Sequence, residues 1–406
     1  MRLIERYVGY SKKIFTVSFI GFSFIAFSGV FPTGFSAVFS TVAFITAIPL
    51  FLSKINKINL NRHEFIGLIL FSWLVCTIFW SEVSILTSLS ALFEYRFFIL
   101  VPLCSLVLTN DSSTQKNALA AALLGAGIAL FASWCIGLGW LSLESGQKSL
   151  GDRIYHGFVM AVLLIACFCM AKERTGVMRV LALTVAGLVI YNVLNLEDGR
   201  TGYLILIVLC VVFIFLSFRG IRLAIALSSA AILLVLFFQY LGNFQDRLNE
   251  TRLNIEKMLV TGDYRSSVGY RLEFYRVAAK IGLENPVFGV GVGDVVSELK
   301  SRKDNEETDV LTDNVHSEYL NMLLMGGIPA SFLYFWYLSS IVKLGLAQRS
   351  KLGWLGDALI GVGCLIIVST MFNSSIKDYG EKHALVIILS LLNSMIADRS
   401  TNVDKS

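Results

Sequence analysis

His316 stands where a polar stretch, Asp313-Asn314-Val315-His316-Ser317-Glu318, runs into an apolar one, and it is the residue best placed to act as a base. Asp313 or Asn314 can cap a helix starting there, which puts His316 in or near its first turn. The positive end of a helix disfavours imidazolium, and a neutral ring can accept a proton from a hydroxyl group. A histidine that merely caps the helix is the competing reading. Arginines share the same expected face. Arg153 and His156 open one apolar stretch and Arg200 opens another, while Arg265, Arg271 and Arg276 lie on a polar segment before His316. Arg96 lies inside a further apolar stretch, toward its outer end. Guanidiniums without a matching run of carboxylates suit a di-anionic or polyanionic ligand, because arginine grips phosphate oxygens in pairs and keeps its charge. Arginines beside a membrane can also simply snorkel. Arg271 and Tyr275 are four residues apart on one helix face and Arg276 points elsewhere, so Arg271 is the stronger ligand candidate.

Two other patterns carry less. Gly289, Gly291 and Gly293 follow Pro286, but no strand or βαβ unit surrounds them, so they read as a flexible turn and not a nucleotide loop. The acidic residues Asp304, Glu306, Glu307 and Asp309 could invite a divalent cation, yet they lie in a charged stretch that reads as solvated loop. No metal and no cofactor is expected, since clustered arginines can neutralise a pyrophosphate leaving group directly.

The elements that must position these groups are membrane helices. Of 406 residues, 55% are apolar or aromatic and only 16% charged, too few charges to cover a water-facing surface. The mean hydropathy is +0.70. All seven cysteines fall in apolar stretches, which excludes a disulfide scaffold. The expected fold is an all-α polytopic membrane protein of about twelve spans: 14–32, 34–52, 64–81, 89–109, 117–141, 154–171, 179–196, 202–218, 221–241, 318–342, 353–372 and 383–397. The first is long and follows a basic flank without a small-residue cleavage site, so it reads as a span and not a signal peptide. The net charge of +5 does not point to nucleic acid, because the basic residues flank spans. Eighteen Lys and Arg lie in the short loops and termini of one side, including Lys12, Lys54, Lys57, Lys172, Arg349 and Lys405, against five (Lys148, Arg153, Arg200, Lys377, Lys382) opposite. That bias places both termini in the cytoplasm and the histidine and arginines outside.

Three parts are expected: helices 1–9 over 1–241, an outer loop region with amphipathic helices over 242–317, and helices 10–12 with a cytoplasmic tail over 318–406. The loop is too short and too poor in apolar residues for a confident core of its own. Within it, 266–284 reads as an amphipathic helix with Leu272, Tyr275, Ala279 and Leu283 on the apolar face, ended by Asn285-Pro286. The stretch 298–313 reads as charged loop.

The order of motifs is informative: Gly199-Arg200-Thr201-Gly202 on the outer face, GYRLEFY with Arg271, NPVFGVGVG over 285–293, then NVHSEYLNMLLMGGIP over 314–329. This order resembles the bacterial O-antigen ligase/polymerase family, most closely the ligases. The resemblance implies a GT-C-type inverting glycosyltransferase of the inner membrane, needing neither ATP nor metal. It would transfer O-antigen polysaccharide from undecaprenyl diphosphate to lipid A-core at the periplasmic face. His316 would then be the base, and Arg200 and Arg271 would hold the diphosphate. Arg153 and Arg96 are further candidates from the family's cavity arginines, and Arg265 and Tyr275, which flank Arg271 in sequence, are counted with them as diphosphate or substrate ligands. The alternatives are an O-antigen polymerase, which tends to carry two sizeable outer loops, and a secondary transporter of an anionic solute, which usually shows related halves.

Overall fold

The computed structural model describes residues 2–31, 33–54, 60–142, 152–196, 199–240, 242–262, 264–305, 308 and 312–403. Lys57, Lys148, Glu306, Glu307, Asp309 and Lys405 lie outside the described residues. Most of those described are helical, and none of them forms a strand. In chain order the helices are α1 (Arg2–Ser28), α2 (Thr33–Lys54), α3 (Arg62–Cys76), α4 (Ile85–Glu94), α5 (Phe97–Leu108), α6 (Ser112–Gly137), α7 (Arg153–Glu173) and α8 (Gly176–Tyr191). There follow α9 (Arg200–Ser217), α10 (Gly220–Tyr240), α11 (Gly242–Thr261), α12 (Ser267–Glu284), α13 (Val295–Asp304), α14 (Glu318–Leu352), α15 (Trp354–Phe372) and α16 (Tyr379–Val403). A 3₁₀ turn, Thr77–Trp80, extends α3, and a π turn, Asn192–Leu196, extends α8.

Each of the twelve expected stretches lies mostly on helix. By length and composition, nine of the described helices suffice to cross a membrane, or ten if the bent pair α4–α5 is one span. The protein is thus a polytopic membrane protein with about nine candidate spans. Two expected spans fall outside that set. The first half of α1 carries Arg2, Glu5, Arg6, Lys12 and Lys13, and the apolar part of α10 is only Gly220–Leu236. The expected fourth span is bent by 51° at Tyr95–Arg96. Carbonyls released at the bend are taken by side chains: Lys382 Nζ donates to the Glu94 carbonyl at 2.9 Å and Arg96 to that of Phe93 at 2.9 Å.

Helices α7, α15 and α16 are buried along most of their length and form the middle of the bundle. Small and polar residues let them pack closely. On α16, Ser390 donates to the Val101 carbonyl at 3.1 Å, and Asn393 reaches His63 at 3.0 Å and Glu64 at 2.9 Å. One end of the bundle is tied by cations: Lys12 meets Asp111 at 3.3 Å, Lys54 caps the last carbonyls of α5, and Lys172 and Arg349 share the buried Asp357. His316, Arg153 and Arg200 belong to the other end.

Helix α14 needs a separate account. Thirty-five residues at about 1.5 Å each would make a rod of about 52 Å, far longer than a bilayer core of about 30 Å. Gly326 and Gly327 break it, the latter at φ +65° and ψ −157°, and Pro329 follows in the first turn of the second piece. The chain folds back there. The Tyr319 ring lies 5.4 Å from that of Tyr334 and 5.0 Å from that of Phe335, whereas fifteen residues of straight helix would separate them by about 22 Å. The expected tenth span, 318–342, is therefore two pieces, and only the second is a plain crossing.

The glycine run after α12 is the wedge in this break. It is not the flexible turn the sequence suggests. Val290 N–H donates to the Leu324 carbonyl at 2.7 Å and Ile328 N–H to that of Pro286 at 2.8 Å, while Trp73 Nε1 donates to the Gly326 carbonyl at 2.9 Å. On its other side, Val292 N–H reaches Thr77 Oγ1 at 3.0 Å, and both Asp294 carboxylate oxygens accept backbone N–H groups, from Glu82 and Val83. A side chain at Gly291 would strike Ser81 Oγ at 2.4 Å.

The segment between α10 and α14 is more helical than expected. Helix α11 was not foreseen, and α13 replaces the front of the expected charged loop, with Arg302 joining Glu298 to Glu284 of α12. Helix α12 matches 266–284 and is capped by Ser266, whose hydroxyl accepts from Gly269 N–H at 3.0 Å. Its buried face is different from the expected one. Leu272 and Leu283 are exposed, and Val277, Ala278 and Ile281 are buried with Leu299, Val315 and Leu324. This small core is completed by α13 and the first piece of α14.

Candidate active site

Arg153 and Arg200 are the first residues of α7 and α9, and glycines bring those helix ends together. A β-carbon at Gly157 would lie 3.4 Å from the Gly202 Cα, and one at Gly199 would lie 3.4 Å from the Arg153 carbonyl oxygen. Thus the Gly199–Gly202 motif does two jobs: Gly202 admits the crossing, and Arg200 heads the helix. Arg200 pairs with Glu250 of α11 at 3.1 Å.

Arg271 joins them from α12. Its pKa is lowered, first by burial and then by the Arg200 and Arg153 guanidiniums, against the opposing charges of Tyr275 and Asp152. Arg271 also acts on His316, whose pKa is lowered by burial first, then by Arg271 and by Lys377, with Asn373 and Asp313 opposing. Arg271 is therefore the link, acting on the imidazole on one side and facing the Arg200 and Arg153 guanidiniums on the other. Arginine does not lose its proton under such repulsion, so the cluster favours an anion among its members.

His316 sits just before the helix and not within its first turn. The N-cap of α14 is Ser317, and the expected cap, Asn314, serves a different bond: its Oδ1 accepts the His316 N–H at 3.0 Å. His316 itself has φ +55°, a left-handed conformation that costs a non-glycine residue about 1–3 kcal/mol. Its Nδ1 is buried and has no partner in hydrogen-bonding geometry among the described residues. The Tyr275 hydroxyl shares its one proton between the His316 carbonyl, at 3.1 Å, and that of Met371, at 3.3 Å.

The loop between α15 and α16, which the sequence reading passed over, braces this segment. Ser374 Oγ donates to Asn314 Oδ1 at 2.6 Å, and Asn314 Nδ2 reaches Asp378 at 3.4 Å. The fully buried Glu318 accepts the N–H groups of Ile376 at 3.0 Å and Lys377 at 2.8 Å. Burial pushes Asp378 up to about 6, against Lys377 and Lys382. The one signal available in the sequence was a short run of polar residues, Asn373-Ser374-Ser375, and Lys377-Asp378 between two apolar spans.

The other named residues are placed as follows. Arg276 is held by Glu273 on its own helix, at 2.6 and 2.8 Å. Arg96 folds over the Phe93 ring, 4.3 Å from its centre, beside Tyr379. Arg265 is exposed in the turn before α12. His156 is buried against Asn192 at 2.9 Å, and Asn192 continues to Ser133, while His383 is buried against Ser36 at 2.9 Å. Both belong to helix packing. A separate cleft of about 520 Å³ is lined by Trp80, Asn285, Pro286, Val287, Phe288 and Gly289, none of them in the cluster.

Residues 185–335 match the family described as O-antigen ligase. This stretch is an O-antigen ligase family domain. It runs from the last turns of α8 to the second piece of α14, so Arg200, Arg271, Tyr275 and His316 lie inside it, and Arg153, Arg96 and the α15–α16 loop lie outside. No curated protein matches the chain in a sequence comparison.

Proposed function

We propose that the chain is an O-antigen ligase of the inner membrane, a metal-independent GT-C-type transferase with its site at the periplasmic face. It moves polysaccharide from undecaprenyl diphosphate to lipid A-core. What supports the reading is the placement, within the family domain, of a neutral imidazole near half-buried guanidiniums drawn from α9 and α12, with Arg153 of α7 adjoining. His316 takes the proton of the acceptor hydroxyl as its oxygen attacks C1 of the donor's first sugar from the side opposite the phosphate. The C1–O bond to phosphate breaks, and undecaprenyl diphosphate leaves with its charge held by Arg271, Arg200 and Arg153. A general base contributes about 10²- to 10⁴-fold. Holding two lipid-anchored substrates in line supplies a further part.

The test is reconstitution in proteoliposomes with the lipid-linked donor, with and without lipid A-core, and with EDTA in a parallel arm. Core-dependent transfer that survives EDTA is expected. Glycan that lengthens on the polyprenyl carrier without core would make the protein a polymerase, and loss of transfer in EDTA would overturn the metal-independent scheme.

A further inference from the structure

The geometry points to Tyr275 as a positioning residue that locks the helix carrying Arg271 to the backbone of His316. The inference rests on the reading of His316 as the base, and it moves Tyr275 from a phosphate ligand to a strut. Its hydroxyl has two partners, and neither is a side chain in the cluster. They are the main-chain carbonyls of His316, at 3.1 Å, and of Met371, at 3.3 Å. Three separate elements meet at that oxygen: α12, the segment entering α14, and the end of α15.

Arg271 lies one turn before Tyr275 on the same helix face, so fixing the Tyr275 hydroxyl fixes where α12 presents Arg271 relative to the His316 segment. The strut also meets a local need. His316 is held at φ +55°, and a left-handed residue persists only where its surroundings over-determine it. Asn314 grips the His316 N–H from one side and Tyr275 the carbonyl from the other. Without the hydroxyl, the carbonyl loses its partner and α12 loses its register on α14 and α15 together.

The groups that face His316 are Arg271 from α12, Asp313 from its own segment, and Lys377 and Asn373 from the α15–α16 loop. Of these, the strut sets the approach of Arg271. Tyr275→Phe keeps the ring and removes the one proton that the two carbonyls share. The expected result is a fall in the rate of transfer at saturating substrates of roughly ten-fold, with a smaller rise in donor KM because Arg271 also holds the diphosphate. The second readout is the acid limb of the rate–pH profile. As Arg271 moves away, the imidazole protonates more readily, so the limb shifts to higher pH, a change that general loosening of the fold does not produce. His316→Gln is run alongside. A near-normal rate in His316→Gln would refute the base and leave the strut without a purpose. A dead His316→Gln beside a Tyr275→Phe protein with unchanged rate and unchanged acid limb would overturn the strut alone. A donor KM raised in proportion to the lost activity, with the acid limb unchanged, would return Tyr275 to the phosphate.

Discussion

Replacing Gly327 with alanine should unfold the fold-back on which the His316 segment depends. With φ +65° and ψ −157°, Gly327 occupies a region almost reserved for glycine, and a side chain there costs about 1–3 kcal/mol in strain. The new β-carbon would also lie 2.4 Å from the Val287 carbonyl oxygen and 2.7 Å from that of Pro286. Both are backbone atoms and cannot swing away. Relief requires parting the 286–290 turn from the break, which loses the bonds of Ile328 to Pro286 and of Val290 to Leu324, at about 1 kcal/mol each. The sum is about 3–5 kcal/mol. For a chain of this size about 2 °C accompanies each kcal/mol, so the unfolding midpoint in detergent should drop by roughly 6–10 °C. Gly127→Ala is the control, because Gly127 lies inside α6 with nothing within 4 Å of its β-position, and it should be neutral or gain up to about 1 kcal/mol. A Gly327→Ala midpoint within a degree of the parent, or an equal drop in Gly127→Ala, would refute the reasoning.

Three further outcomes are expected. Burial and the nearby Arg271 hold the His316 pKa below that of an ordinary histidine, so its ring stays neutral to lower pH; the rate of its modification by diethyl pyrocarbonate, which needs the neutral ring, should halve at a lower pH than for a histidine in a free peptide, and a midpoint at or above the peptide's would contradict the burial and the nearby Arg271. Glu250 occupies Arg200 at 3.1 Å, where donor phosphate is proposed to sit; Glu250→Gln should lower donor KM a few-fold in a reconstituted assay, and a raised KM would mean that Glu250 orients the guanidinium instead. Glu318→Ala leaves the buried N–H groups of Ile376 and Lys377 without their acceptor, so thermal unfolding should report a loss of about 3 kcal/mol or more, and an unchanged midpoint would show that the brace is dispensable.

Helix identity was legible from apolar length alone, because a membrane helix must satisfy its backbone internally and shows it as an apolar run. Span count was less legible. The bend at Tyr95–Arg96 depends on Lys382, nearly three hundred residues away, and the α14 fold-back depends on the wedge at 286–290. On α12 the helix and its ends were readable from Ser266 and Asn285-Pro286, but the buried face was not. The spacing of Leu272, Tyr275, Ala279 and Leu283 pointed to one face, whereas the face that packs against α13 and α14 carries Val277, Ala278, Ile281 and Gly282: a β-carbon at Gly282 would meet the Leu323 side chain at 2.6 Å. Arg200 stood out because the positive-inside bias depletes arginine at outer span ends, and His316 and Arg271 because of the polar motifs that carry them. Asn314, Glu318 and the α15–α16 loop did not, since their roles are hydrogen bonds between segments far apart in the chain.

The most direct measurement is single-turnover transfer by purified, reconstituted His316→Ala and Arg271→Ala proteins, with donor binding and thermal unfolding followed on the same samples. The account predicts folded proteins in both cases. His316→Ala should bind donor yet lose at least about 10²-fold in transfer, and Arg271→Ala should be impaired in both binding and transfer. Near-normal transfer by His316→Ala would contradict the account at its centre.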